Sequence, residues 1–287
     1  FRLNISVSYN NQDNDLPAFD FSEDARLLAP NAPALYSSDG SLNWENKTWQ
    51  NPLRNLNAKY KANTNTLLTN TVLSYELFPG LVFKTSLGYT NIATTETRTS
   101  PSTIFNPANN ISSSRSSIYV NNTQGSSWVA EPQISWSKEL GTAGKLDALF
   151  GATFQNQTSN LLYQTANNFS SNSLIYNLGA ATNVSVLLNE ENLYRYQAFF
   201  GRLNYNWKQR YIVNFTARRD GSSRFGPGNR FSNFGAIGTG WLFSNEDILK
   251  DNSWISFGKL RASYGITGND QIGDYQFLDT YATSGVT

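Results

Sequence analysis

This sequence predicts an all-β chain, an antiparallel segment of a transmembrane β-barrel, on three observations. Long runs alternate between apolar and polar residues, the period of a two-faced strand. The connections between those runs are alternately long and short. Outer-membrane barrels have this asymmetry, with short periplasmic turns and longer extracellular loops, whereas a soluble sandwich meets water at both ends and has no reason to keep it. No window holds the roughly 20 consecutive apolar residues of a membrane helix. The mean hydropathy of −0.44 is compatible with a barrel because only alternate residues face lipid.

Taken in order, the opening run alternates without a fault, with Phe1, Leu3, Ile5, Val7 and Tyr9 against Arg2, Asn4, Ser6 and Ser8. Residues 10–61 are irregular, with four prolines and exposed-looking Tyr36, Trp44 and Trp49. Leu67 to Leu77 forms the next strand, Phe78-Pro79-Gly80 reverses the chain tightly, and Leu81, Phe83, Leu87 and Tyr89 return. After a Ser/Thr/Asn-rich excursion over 91–126, Trp128, Ala130, Ile134 and Trp136 share a face, 141–144 turns, and Leu146 to Phe154 returns. Residues 158–192 read as another long loop. Phe199, Leu203, Tyr205 and Trp207 follow, and the turn at 208–210 leads into Tyr211, Val213, Phe215 and Ala217. A turn-rich connector at 220–230, an alternating run to Phe243, an acidic link at 244–252 and a run at 257–267 complete nine strands.

Composition removes several function classes. Cysteine and histidine are both absent, which excludes disulfide frameworks, thiolate and imidazole metal sites, His-based triads and Cys nucleophiles. A net charge of +1 with 15% charged residues gives no nucleic-acid footprint. The chain reads as a non-enzyme, since a glycosidase needs two carboxylates about 5–9.5 Å apart and no strand pair supplies them. The 287 residues read as part of a single barrel domain, an internal piece of a longer protein that opens at Phe1 within an alternating run.

With the short turns at the periplasm, Trp136, Trp207, Tyr211 and Trp241 fall near that end and are expected to form an aromatic girdle. Trp128 lies eight residues from Trp136 on the same face, roughly 20 Å along the membrane normal at a ~3.3 Å rise and ~40° tilt, which suits the other edge of the apolar band. On the opposite face Arg2, Lys84, Asp147, Arg202 and Lys259 would each cost several kcal/mol in a dry core, roughly, but not in a watered lumen. The competing reading, the solvent side of a soluble sheet, is disfavoured by strand length, since soluble strands usually run ~5–6 residues.

The loops hold the candidate contacts. Tyr36, Trp44, Trp49 and Tyr163 are placed to stack on sugar rings or meet a partner, or else to pack a long loop onto itself. Arg218, Arg219, Asp220, Arg224 and Arg230 form a candidate cluster that either holds an anionic ligand, such as a lipopolysaccharide phosphate, or braces the loop structurally. Gly221 to Gly226 has phosphate-loop spacing, but Pro227 replaces the lysine, so nucleotide binding fails on chemistry. No cofactor is expected; Asp13, Asp15, Asp20, Glu23 and Asp24 offer oxygens for Ca²⁺ in principle but lack EF-hand spacing, and a solvated acidic loop is the favoured reading. The Asn-x-Ser/Thr triplets are read as compositional accidents.

Arg218-Arg-Asp-Gly-Ser-Ser-Arg-Phe-Gly-Pro227, Phe234-Gly-Ala-Ile-Gly-Thr-Gly-Trp241 and Lys259-Leu-Arg-Ala-Ser-Tyr-Gly-Ile-Thr-Gly-Asn269 with Ile272-Gly-Asp-Tyr275 resemble the barrel of SusC/RagA-type TonB-dependent outer-membrane transporters. Leu28 to Tyr36, Asn43-Trp44-Glu45-Asn46, Asn51-Pro52-Leu53 and Phe199 to Trp207 are similar to the same family. The resemblance implies a barrel of about 22 strands in a Gram-negative outer membrane, around an N-terminal plug. It also implies a SusD-like surface lipoprotein over the mouth, TonB contact through an N-terminal part, outer-membrane lipids around the wall, and import of oligosaccharides or peptides. Plug and closing strands are absent from this stretch, so the expectation is a barrel fragment. The alternative function is a transporter-like barrel serving as an interaction subunit of a larger outer-membrane assembly.

Overall fold

A computed structural model of the protein describes residues 1–249 and 254–279. Nine strands form one sheet in sequence order: β1 (Arg2–Pro17), β2 (Lys59–Phe78), β3 (Leu81–Ser100), β4 (Ser117–Glu139), β5 (Lys145–Phe169), β6 (Ala181–Trp207), β7 (Tyr211–Ser222), β8 (Phe231–Trp241) and β9 (Leu260–Ile266). Every neighbouring pair is antiparallel. Consecutive antiparallel order sends alternate connections to opposite ends. One end carries 79–80, 140–144, 208–210 and 242–259, and the other carries 18–58, 101–116, 170–180 and 223–230. The acidic link read at 244–252 lies within 242–259, with 250–253 outside the described residues.

Sharp backbone geometry makes the short turns possible. Gly80 has φ +82° beside Pro79, and a Cβ there would run into the Ser137 carbonyl of the next hairpin, so the position needs a glycine on both counts. At 207–210 both central residues, Lys208 and Gln209, are left-handed (φ 51° and 55°), and the Arg210 N–H donates to the Trp207 carbonyl at 3.0 Å. That is type I′ geometry, whose twist matches the flanking strands.

Register carries one apolar row after another across the sheet. Phe83 pairs with Ile134, Ile134 with Phe150, Leu203 with Phe215 and Phe215 with Ile237. These side chains are open rather than packed under a second layer: Phe150 is 61% exposed, Leu203 50% and Phe215 51%. The other face is polar, with Lys84 opposite Gln133, Arg202 opposite Thr216 and Gly240 opposite Arg261. No helix among the described residues is long and apolar enough to cross a membrane.

The strands run further than their alternation indicates. β4, β5 and β6 are 23, 25 and 27 residues long, so most of 91–126 and 158–192, read as loop from sequence, is strand. The connections shrink to 101–116 and 170–180. The buried cluster of Ile118, Val120, Ala166, Phe169 and Ile175 sits at that far end, where a polar network joins the two loops. The Ser116 hydroxyl donates to Asn172 Oδ1 (2.5 Å), the Ser102 N–H donates to Ser116 Oγ (2.8 Å), and Asn172 Nδ2 donates to Ser102 Oγ (2.9 Å).

Candidate functional site

Above the apolar band the polar face of β2 to β5 is lined by side chains that share a strand parity. Ala62 lies opposite Glu96, Glu96 opposite Asn121, and Asn121 opposite Tyr163; one step along, Tyr60 lies opposite Arg98 and Arg98 opposite Tyr119. The Glu96 carboxylate accepts from the Tyr60 hydroxyl and, at 2.8 Å, from Asn121 Nδ2. The Tyr119 and Tyr163 rings stack with centroids 6.0 Å apart. Together with Arg98 these residues wall a cavity of about 380 Å³. It offers a ring platform, an anchored carboxylate and a guanidinium, a combination that can bind polar chain molecules through stacking and hydrogen bonds.

Tyr163 is therefore on a strand, not in a loop. Tyr36, Trp44 and Trp49 lie elsewhere, in the lobe formed by 18–58. That lobe is organised by Asn51, which is fully buried, donates to the carbonyls of Leu35 (2.6 Å) and Asn43 (3.0 Å), and accepts from the Leu53 N–H (3.0 Å). Tyr36 bridges to Leu42 with its side chain exposed, Trp44 precedes a 3-10 turn, and Trp49 lines a separate groove with Leu28 and Pro33. The acidic residues disperse: Asp13 accepts from Asn63, Asp15 pairs with Lys61, and Asp20 caps Ser22. No metal-holding group of acidic side chains forms among the described residues.

The arginine cluster read from sequence divides between the two faces, because neighbours on a strand must point oppositely. Arg218 and Asp220 lie on the polar face. Arg218 Nε donates to Asp220 (2.6 Å), its Nη2 to the Tyr196 hydroxyl (2.5 Å), and the guanidinium covers the Phe200 ring. Arg224 joins a second brace, donating to Asp274 (2.9 Å) and to the Asp270 carbonyl (3.0 Å) and lying over Tyr194, whose hydroxyl donates to Asp270 (2.7 Å). Burial works against the charge of Asp270. The hydroxyls of Tyr194 and Ser222 and the charge of Arg224 nevertheless hold its carboxyl below the usual range. The second brace ties 267–279 against the sheet. Arg219 and Arg230 are not part of either brace; Arg219 lies over Phe231 on the apolar face. Sequence reading missed Tyr60, Glu96, Arg98, Tyr119, Tyr194, Tyr196 and Asp270. For Glu96 and Arg98 the signal was present as even-numbered continuation of the β3 polar face.

Of the girdle residues, Trp207, Tyr211 and Trp241 form one register row at the short-turn end, and Trp136 sits one row set further in, level with Leu203. Trp207 and Tyr211 are 5.4 Å apart by centroid. Glu246 in the following link binds the row, accepting from the Tyr211 hydroxyl (2.7 Å), the Trp241 indole N–H (2.9 Å) and Arg210 (3.1 Å). Trp128 lies at the far edge of the apolar face, opposite Asn156.

A single antiparallel sheet with one exposed apolar face, one polar face and two unequal ends defines the wall of a large β-barrel. No family model matches the chain. It is 35% identical over 222 residues to TonB-dependent receptor P3 of Formosa agariphila, covering 76% of this chain and 21% of that protein. It is 44% identical over 88 residues to TonB-dependent receptor SusC of Bacteroides thetaiotaomicron, covering 30% of this chain and 9% of SusC. The RagAB peptide transporter structure superposes with a TM-score of 0.72 over 95% of this chain and 32% of that chain, at 20% identity. The chain belongs to the SusC/RagA-type TonB-dependent transporters. It spans only about a fifth to a little over a quarter of the length of the curated relatives that it matches over most of its own length.

Proposed function

We propose that this chain is part of the wall of an outer-membrane importer driven through TonB, with its apolar face in lipid and its polar face toward the transport path. The observation that carries the reading is the open apolar face, too large and too regular to be left in water, in a chain of the TonB-dependent receptor family. In this reading the end with 18–58, 101–116, 170–180 and 223–230 is extracellular. It meets a SusD-like surface lipoprotein there, while TonB acts through another part of the full-length protein. The cargo is an oligosaccharide or a peptide. The wall of Tyr60, Glu96, Arg98, Tyr119 and Tyr163 takes it by ring stacking and by hydrogen bonds to a carboxylate already held in place. Base–aromatic stacking in other systems is worth ~1–3 kcal/mol per ring, and a similar scale applies to a sugar or side-chain face.

Two experiments test this. The full-length subunit, purified from outer membranes with its companions and identified by mass, is expected to carry a plug and to bring a surface lipoprotein with it. A subunit without a plug, bound mainly to other proteins, would make it an interaction scaffold instead. Replacing Tyr119 and Tyr163 together with alanine is expected to lower cargo uptake roughly tenfold while leaving the amount of subunit in the membrane unchanged. Unchanged uptake would remove these rings from the transport path.

A further inference from the structure

At the edge of the apolar face away from the short turns, three arginines stand without a carboxylate partner among the described residues: Arg195 and Arg219 at strand positions of that face, and Arg230 in the loop just before β8. All three are exposed. Arg195 and Arg230 line a cavity of about 490 Å³ with Trp128, Phe154, Asn156 and Phe231, and the Arg219 guanidinium lies over the Phe231 ring at 5.2 Å. Strand register assembles this group. Trp128 is opposite Asn156 and Asn156 opposite Arg195, while Phe231 faces Gly221, whose missing Cβ lets the ring lie against the sheet.

The height of the group matters. Arg219 is eight residues up β7 from Tyr211 and Phe231 is ten from Trp241, so they stand about 20 and 25 Å above the girdle row at a ~3.3 Å rise and ~40° tilt. An outer-membrane apolar band is ~25 Å tall. The arginines therefore sit where hydrocarbon gives way to headgroups, and the aromatic rings run down from them into the band through Phe154 and Phe199, packed edge to face at 5.9 Å. Guanidinium forks match phosphate oxygens, and the flanking apolar surface is continuous with the lipid-facing sheet.

We propose that this cavity binds one anionic, phosphate-bearing membrane lipid, its phosphate on Arg195, Arg219 and Arg230 and an acyl chain along Trp128 and Phe154. This rests on the membrane placement proposed above. The test uses the full-length subunit from outer membranes in detergent, with bound lipid counted by native mass spectrometry after addition of phosphatidylglycerol, phosphatidylcholine or inorganic phosphate. Phosphatidylglycerol is expected to be retained in preference to phosphatidylcholine. The combined variant R195Q/R219Q/R230Q is expected to bind it roughly tenfold more weakly or worse. The single variant R195Q, at an exposed position outside both braces, is expected to lose less in the same direction, which keeps the test open should the combined variant fail to assemble. Equal retention of both lipids, retention unchanged in R195Q, or full displacement by inorganic phosphate would each overturn the lipid site. Absence of the subunit from the outer-membrane fraction would overturn the membrane placement, and the lipid site with it.

Discussion

Glu246 does more for the short-turn end than its place in a loop implies. Its two oxygens collect donors from the start of β7, the end of β8 and the 208–210 turn, so one carboxylate fixes the spacing of three chain segments. Hydrogen bonds from Tyr211 and Trp241, with a smaller contribution from Arg210, hold its carboxyl below the ordinary glutamate value of 4.5 despite some desolvation. A carboxylate whose folded value is depressed stabilises the fold above its unfolded value, and that stabilisation is lost as pH falls through the folded value. Glu246→Gln is therefore expected to lower the unfolding temperature at neutral pH and to make little difference well below pH 4.5. Thermal melts of both forms across that range check it; an equal deficit at every pH would mean that packing, not charge, is what the side chain supplies.

Strand length separates two environments along the same element. In the membrane placement proposed above, one face of each strand meets lipid within the apolar band and the other meets polar groups, so side chains alternate. Beyond the band the pairing of β4, β5 and β6 continues through Asn/Ser/Thr-rich stretches without sustained alternation, and Ile118, Val120, Ala166 and Phe169 are buried there with Ile175 of the 170–180 loop. Those extensions are held at their tips by Asn172, which links Ser102 and Ser116 from a neighbouring loop. Asn172→Ala would leave the buried Ser116 hydroxyl without its acceptor, a cost of about 1–3 kcal/mol. The expected result is faster protease cleavage within 101–116 and 170–180 with the strands below unaffected, as limited proteolysis followed by peptide mass would show.

Across the sheet as a whole, the two faces must respond differently to the same charge. Phe215 lies four residues from the girdle row on the apolar face, about 10 Å into the band, whereas Asn204 is on the polar face of the adjoining strand. Phe215→Arg in the full-length protein is expected to cost about 2–4 kcal/mol of barrel stability, and Asn204→Arg much less, measured by unfolding in lipid vesicles. Similar costs would deny the apolar face its place in lipid. The strand count, the strand order and the tight turns at 79–80 and 208–210 were legible in the chain, because alternation and turn chemistry are local: each is written in residues one to four apart. Three matters required the folded sheet. One is where β4 to β6 stop, since backbone pairing outlasts the two-sided environment that writes alternation. Another is the meeting of Tyr60, Glu96 and Asn121, or of Arg224 with Asp270, which depends on register summed over several hairpins. The last is the division of Arg218 and Asp220 from Arg219: strand parity puts them on opposite faces, but only the neighbours brought up by the assembled sheet give Arg218 its Tyr196 and Asp220 partners and leave Arg219 over the Phe231 ring.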